Sequence, residues 1–166
     1  MRTSRLLTAT AVMGAALFLG GCFQISDLGG GPEAVRDSDT GEITDAGKAD
    51  VFTLSVGDCM NNTSSEEVTD VPVVPCSDPH DTEVYYEFSL PDGEYPGKDE
   101  VYSAAEQGCY TEFSNFVGIA YEESTLEFSY FAPTQQSWDQ GDDRLVSCLV
   151  VDTAEQVTGT LAGAAR

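Results

Sequence analysis

The chain is short of cations and almost without histidine. Its 166 residues carry 7 Lys+Arg against 29 Asp+Glu, with 1 His and 1 Trp. Each shortage excludes something. A net charge of −22 repels nucleic acid and anionic lipid head groups. The only histidine, His80, has no second imidazole to share a zinc ion, and there is neither a CxxC nor a Cys/His quartet. No GxSxG elbow is present for a serine hydrolase. There is no internal repeat, and the longest apolar run falls short of the ~20 residues a spanning helix needs.

That run belongs to a leader. Arg2 and Arg5 precede the apolar stretch Leu6 to Leu19, which passes into Leu19-Gly20-Gly21-Cys22. The order basic, apolar, small-residue, cysteine is that of a lipoprotein signal peptide. Residues 1–21 are then removed, and Cys22, a strong thiolate nucleophile, accepts the lipid. Two of the seven cations leave with the leader and no acid does, so five remain against twenty-nine, a mature charge of −24. The expected location is the outer face of the cytoplasmic membrane, extracytoplasmic, where the lipid holds a domain that its own charge resists bringing there.

Cysteine parity agrees with this. The five cysteines are Cys22, Cys59, Cys76, Cys109 and Cys148. With Cys22 acylated, four remain to form two disulfides in an oxidising compartment. Four cysteines allow three pairings. Cys59 and Cys76 follow consecutive extended segments, and Cys109 and Cys148 fall on a helix and an apolar strand. This order favours Cys59–Cys76 and Cys109–Cys148.

Along the chain, residues 22–49 read as a lipidated N-terminus and flexible acidic tether. As a coil it would span roughly 30 Å. Within it, Val35-Arg36 and Glu42-Ile43-Thr44 flank Asp37 to Gly41, a hairpin-like composition. The folded domain is expected over 50–166, enough for one core. Phe52, Leu54 and Val56 alternate with polar residues as a strand would. Val71 to Cys76 is extended, and Pro72 and Pro75 assign it to an edge or end. Thr82 to Leu90 alternates, with Val84, Tyr86, Phe88 and Leu90 on one face and Glu83, Tyr85 and Glu87 on the other. Asp99 to Val117 is a helix, capped by Asp99 and stopped by Gly118, with Val101, Ala105, Cys109, Phe113 and Phe116 on one face. Gly108 inside it suggests a backbone passing close by. Leu126, Phe128 and Tyr130 mark another strand, Trp138 to Asp143 a turn, and Leu145 to Val151 a central strand buried on both faces. Val157 to Leu161 reads as a last short strand. The fold class is α+β: a small antiparallel or mixed sheet of about four to six strands, one packed helix and two disulfides.

The order of these features resembles the septum formation domain of actinobacterial envelope proteins and lipoproteins. The residues that carry the likeness are Val56-Gly57-Asp58-Cys59, Val73-Val74-Pro75-Cys76-Ser77-Asp78-Pro79-His80, Glu83-Val84, and Cys109 with Phe113 and Phe116-Val117-Gly118. Tyr130, Pro133, Trp138, Gly141-Asp142, Arg144, Cys148 and Gly159-Thr160-Leu161 follow in order. The likeness spans Phe52 to Arg166 and departs at the doubled acid Asp142-Asp143. It implies a role in division or envelope growth and transfers no catalytic residue.

A few positions carry groups suited to chemistry. His80, beside Asp78, Asp81 and Glu83, has the makings of a general base or ligand. The preferred reading is structural: a ring bonded to a backbone carbonyl that locks the loop after Cys76. The acidic turn Asp37 to Ile43 is similar to an EF-hand loop but is mis-spaced, and Asp139 to Asp143 is no better. No metal or cofactor is assigned. Tyr85, Tyr110, Tyr121 and Trp138 are candidates for an outward aromatic face, with core packing the commoner fate of such rings. The function expected is non-enzymatic binding of an envelope or division protein or a wall ligand. The alternatives are a wall-acting enzyme using His80 or a carboxylate pair, and a metal-binding module.

Overall fold

The computed structural model describes residues 32–62 and 68–166. The leader, Cys22, the first part of the tether and most of the polar loop before Asp70 lie outside them. Described in chain order are the strands β1 (Val35–Arg36), β2 (Ile43–Asp45), β3 (Gly47–Asp50), β4 (Cys59–Met60), β5 (Asp70–Val74) and β6 (Thr82–Ser89). Helix α1 (Lys98–Val117), strand β7 (Glu127–Phe131), helix α2 (Gln135–Gly141) and strand β8 (Leu145–Val151) complete the order. β1 and β2 form an antiparallel hairpin; the others make a six-stranded sheet in the order β3-β5-β4-β6-β8-β7, with every pairing antiparallel. The chain is an α+β domain with both disulfides in the favoured pairing. Cys59–Cys76 has a Cα separation of 5.2 Å and Cys109–Cys148 one of 5.4 Å.

The sheet is covered on both faces, which explains why β8 is apolar almost throughout. Val146, Cys148 and Val150 meet Val101, Ala105, Cys109 and Phe113 of α1 in one cluster. Leu149 points the other way, into a second cluster with Ile43, Leu54, Met60, Val73 and Val84. Cys109–Cys148 therefore joins helix to sheet through the middle of the first cluster.

Three strands occupy residues that the sequence reading placed in the tether. Ile43 is buried in the second cluster. Arg36 grips Asp58 with two hydrogen bonds, Nη1 to Oδ1 at 2.7 Å and Nη2 to Oδ2 at 2.6 Å. Asp58 is only 4% exposed, so this ion pair anchors the hairpin to the turn before β4. The hairpin-like composition around Asp37 is indeed a hairpin, and the Asp37 carboxylate accepts from the Asp39 and Thr40 N–H groups.

Several elements differ from expectation. Val51–Thr53 is a 3-10 turn rather than strand, because Asp50 caps it by accepting from Phe52 N–H. Leu54 is buried while Phe52 and Val56 face solvent. β5 is interior, not an edge. Its Pro72 sits opposite Lys48, whose N–H and C=O turn away to Pro32 and Ala34, so the missing proline donor breaks no bond to β3. In β6 a bulge falls between Val84 and Tyr86. The extra residue, Tyr85, inverts the alternation: Val84 joins the second cluster, and Tyr85, Tyr86 and Phe88 the first.

α1 begins earlier than read, its N-cap lying two residues upstream at Gly97 and not at Asp99; Asp99 and Glu100 lie in the first turn, and Gly118 ends the helix in the left-handed region. The close neighbour of Gly108 is a ring, not a backbone. A Cβ there would lie 2.4 Å from Phe88 Cζ. Trp138 to Asp143 is mostly helix rather than turn. Thr134 and Ser137 form a reciprocal capping box that starts α2, and Asp142 closes it at φ 53°. The tail makes a bridge at Val157 to His80, not a strand.

Candidate binding surface and the buried histidine cluster

His80 is built into the core. Its backbone exchanges two hydrogen bonds with Val157, each 2.9 Å. The ring is fully buried, and Nδ1 donates to the Asp78 carbonyl at 2.9 Å. That places the proton on Nδ1 and leaves Nε2 without a partner among the described residues. Glu83, 2% exposed, lies beside it. Its Oε1 accepts from the Thr160 hydroxyl at 2.7 Å and its Oε2 from Leu161 N–H at 2.6 Å, pinning the tail.

The donor atoms of Cys59, His80 and Glu83 lie within 4.8 Å of one another, a metal-ligand spacing. The chemistry does not match it. Cys59 sulfur is bonded to Cys76 and offers no thiolate, so only an imidazole and a carboxylate remain, fewer than a structural or catalytic zinc site uses. The cluster is also closed to any substrate. It locks the loop after Cys76 against the tail, the structural role the sequence favoured.

Trp138 is 4% exposed and faces inward. Its Nε1 donates to Gly93 O at 2.9 Å, and the Arg144 guanidinium lies 3.7 Å over its ring. An open cleft of about 660 Å³ adjoins this stack, between Phe52, Leu90, Asp92 and Asp142. Among the described residues Arg144 is its only cation, and it is already committed. Nη1 donates to the carbonyls of Trp138 and Asp143, and the acids Asp92 and Asp142 lie at 3.7 and 3.4 Å. An anionic ligand would meet those carboxylates first. The arginine closes the connection from α2 to β8.

The aromatic side chains divide. Tyr85 is buried, donating to Cys109 O and packing on Phe113 and Phe116, so it leaves the outward set together with Trp138. Tyr102 and Tyr110 on α1 stay in solvent, 41% and 45% exposed. Tyr102 meets Tyr130 edge-on at 5.8 Å, Tyr110 meets Tyr121 at 5.9 Å, and Tyr121 meets Phe128 at 5.0 Å. Lys98 Nζ lies 5.0 Å over the Tyr102 ring. Tyr110 donates to Glu122 and Tyr121 to Glu127, and these carboxylates push both phenols above their ordinary pKa. The result is a tyrosine and glutamate surface along β7, the terminal strand of the sheet.

The two sheet edges are unlike. At β3, Ala34 N–H donates to Lys48 O and Lys48 N–H to Pro32 O, so a stretch of chain covers that edge. The approach is so close that a Cβ on Gly47 would lie 2.4 Å from Ala34 N. Among the described residues no backbone group outside the sheet bonds to β7.

The pattern of the family described as septum formation matches residues 27–148. The chain belongs to the septum formation family. The match includes both disulfides, the hairpin, the His80 loop and the β7 edge, and ends before the tail that pins Glu83. Membership ties this septum formation protein to cell division. No curated protein and no solved structure gives a significant match.

Sequence reasoning named Tyr110 and Tyr121, and Glu83 as a neighbour of His80, but missed Tyr102, the bonds from the tail to Glu83 and the Arg36–Asp58 pair. Tyr102, Glu106 and Tyr110 recur every four residues on α1, a stripe legible beforehand. For the tail partners of Glu83 no local signal existed, since Thr160 and Leu161 lie far along the chain.

Proposed function

We propose that this septum formation protein acts by binding and not by catalysis. It is anchored through Cys22 at the outer face of the cytoplasmic membrane and engages an envelope or division protein, or a wall ligand, during septum formation or wall growth. The observation that carries this reading is a contrast in access. The groups suited to chemistry, His80 and Glu83, are sealed in the core, while Tyr102 and Tyr110 are held out in solvent on a rigid helix. Rigid, half-exposed tyrosines supply contact area at low entropic cost. The order of basic residues, apolar run, small residues and Cys22 supports attachment through a lipid; no helix among the described residues is long and apolar enough to cross a membrane.

In-cell crosslinking followed by mass spectrometry tests the reading. A reproducible partner or wall adduct supports it. An enzyme acting through His80 predicts the reverse: a folded His80→Ala variant that loses wall function while keeping its crosslinks would sink it.

A further inference from the structure

The open edge of β7 narrows the kind of partner. We infer that the β7 edge, flanked by Tyr102, Glu106, Tyr121 and Glu127, docks an extended cationic segment of another protein, which adds to the sheet as a seventh strand. The inference rests on the binding reading above and names where and what is bound.

Three observations converge on it. The opposite edge is covered by the chain itself, whereas β7 is uncovered among the described residues. An unpaired edge offers a row of backbone donors and acceptors to an incoming strand. The surroundings select for charge. Glu106 and Glu127 are exposed, Glu122 is exposed on the adjoining turn, and the full chain carries −22. Lys and Arg side chains projecting from the added strand would meet carboxylates and tyrosine faces together. The position of Lys98 over Tyr102 shows that this ring accepts an ammonium group. A second copy of the chain is disfavoured at the same edge, because it brings its own large negative charge.

The affinity of the edge comes from main-chain hydrogen bonds, and its selectivity from charge. The test uses three synthetic peptides of equal length with alternating valine, whose other positions are lysine, glutamine or glutamate. Each is titrated into the full chain by fluorescence anisotropy. The lysine peptide is expected to bind saturably and to weaken as salt rises, while the other two bind at least tenfold more weakly. The double reversal Glu106→Lys/Glu127→Lys should lower affinity about tenfold. Hydrogen exchange gives a readout that charge alone does not move: amides of residues 127–131 should gain protection with the lysine peptide.

Equal binding of all three peptides, unchanged affinity in the charge-reversed chain, or protection arising elsewhere would each overturn the inference. So would dimerisation through β7 in sedimentation. If crosslinking in cells finds a partner contacting another face, this inference falls and the binding reading stands. If cells yield no partner at all, the binding reading falls first.

Discussion

Gly108 allows a quantitative test of how α1 sits on the sheet. In a solvent-facing helix, Gly→Ala stabilises by about 1 kcal/mol, because alanine loses less backbone entropy. Here the added methyl would lie 2.4 Å from Phe88 Cζ and 2.6 Å from Cε1, both well inside contact distance. Overpacking of that kind costs about 1–3 kcal/mol. Phe88 is also stacked on Tyr86 at 6.0 Å, which limits how its ring can retreat. Gly108→Ala is therefore expected to be neutral or destabilising by up to about 2 kcal/mol. In a Phe88→Ala background the obstacle is gone, and the same change should stabilise by about 1 kcal/mol. The cycle predicts a coupling of about 1–3 kcal/mol between the two positions. Guanidinium unfolding followed by circular dichroism measures all four chains. A gain of about 1 kcal/mol from Gly108→Ala in both backgrounds would show that the ring does not constrain the helix.

Other outcomes follow from the same structure. Cys109→Ala/Cys148→Ala opens a loop of 39 residues and should cost about 4 kcal/mol on chain entropy, against about 3 for the 17-residue loop of Cys59–Cys76; a loss below about 1 kcal/mol for either would refute the entropic account. Arg36→Ala leaves the Asp58 carboxylate buried without its guanidinium and should cost about 2–3 kcal/mol, with faster amide exchange in β1 and β2. Asp152 is held below its ordinary pKa of 3.8 by the Ala154 N–H and by Arg166. Its contribution is complete above that value and is lost as pH falls through the lower folded value, so Asp152→Asn should flatten the acid limb of the stability profile below about pH 4. Cys22→Ser should leave the membrane fraction on cell lysis with the domain still folded.

How far the sequence could be read depended on how local the cause was. The α1 face from Val101 to Phe113, the strand at Leu145 to Val151 and the hairpin around Asp37 are set by spacing or turn chemistry within a few residues, and they were legible. Other features turned on partners far away in the chain. Pro72 looked like an edge residue because a proline lacks a donor, yet Lys48 faces the other way and makes the interior position harmless. The alternation of β6 broke at Tyr85 because a bulge inserts one residue and no composition marks it. Trp138 is a local exception: Thr134 and Ser137 supply a capping box just upstream, which makes helix of a stretch whose composition reads as a turn.

The candidate site divides on the same line. The presence of histidine, tyrosines and excess carboxylates was visible from residue counts. Access was not, because burial is a property of the assembled layers. Only packing put His80 and Glu83 out of reach and left Tyr102 and Tyr110 in water.

By itself the sequence determined the family, the α+β class, the acidic charge and a four-cysteine set suited to two staples. These depend on residue identity and short-range spacing, which the chain carries whatever its path. Tertiary structure alone decided which sheet edge is covered, which carboxylate is buried and which aromatic rings face outward. Those depend on which distant segments come together, and distance along the chain does not encode that.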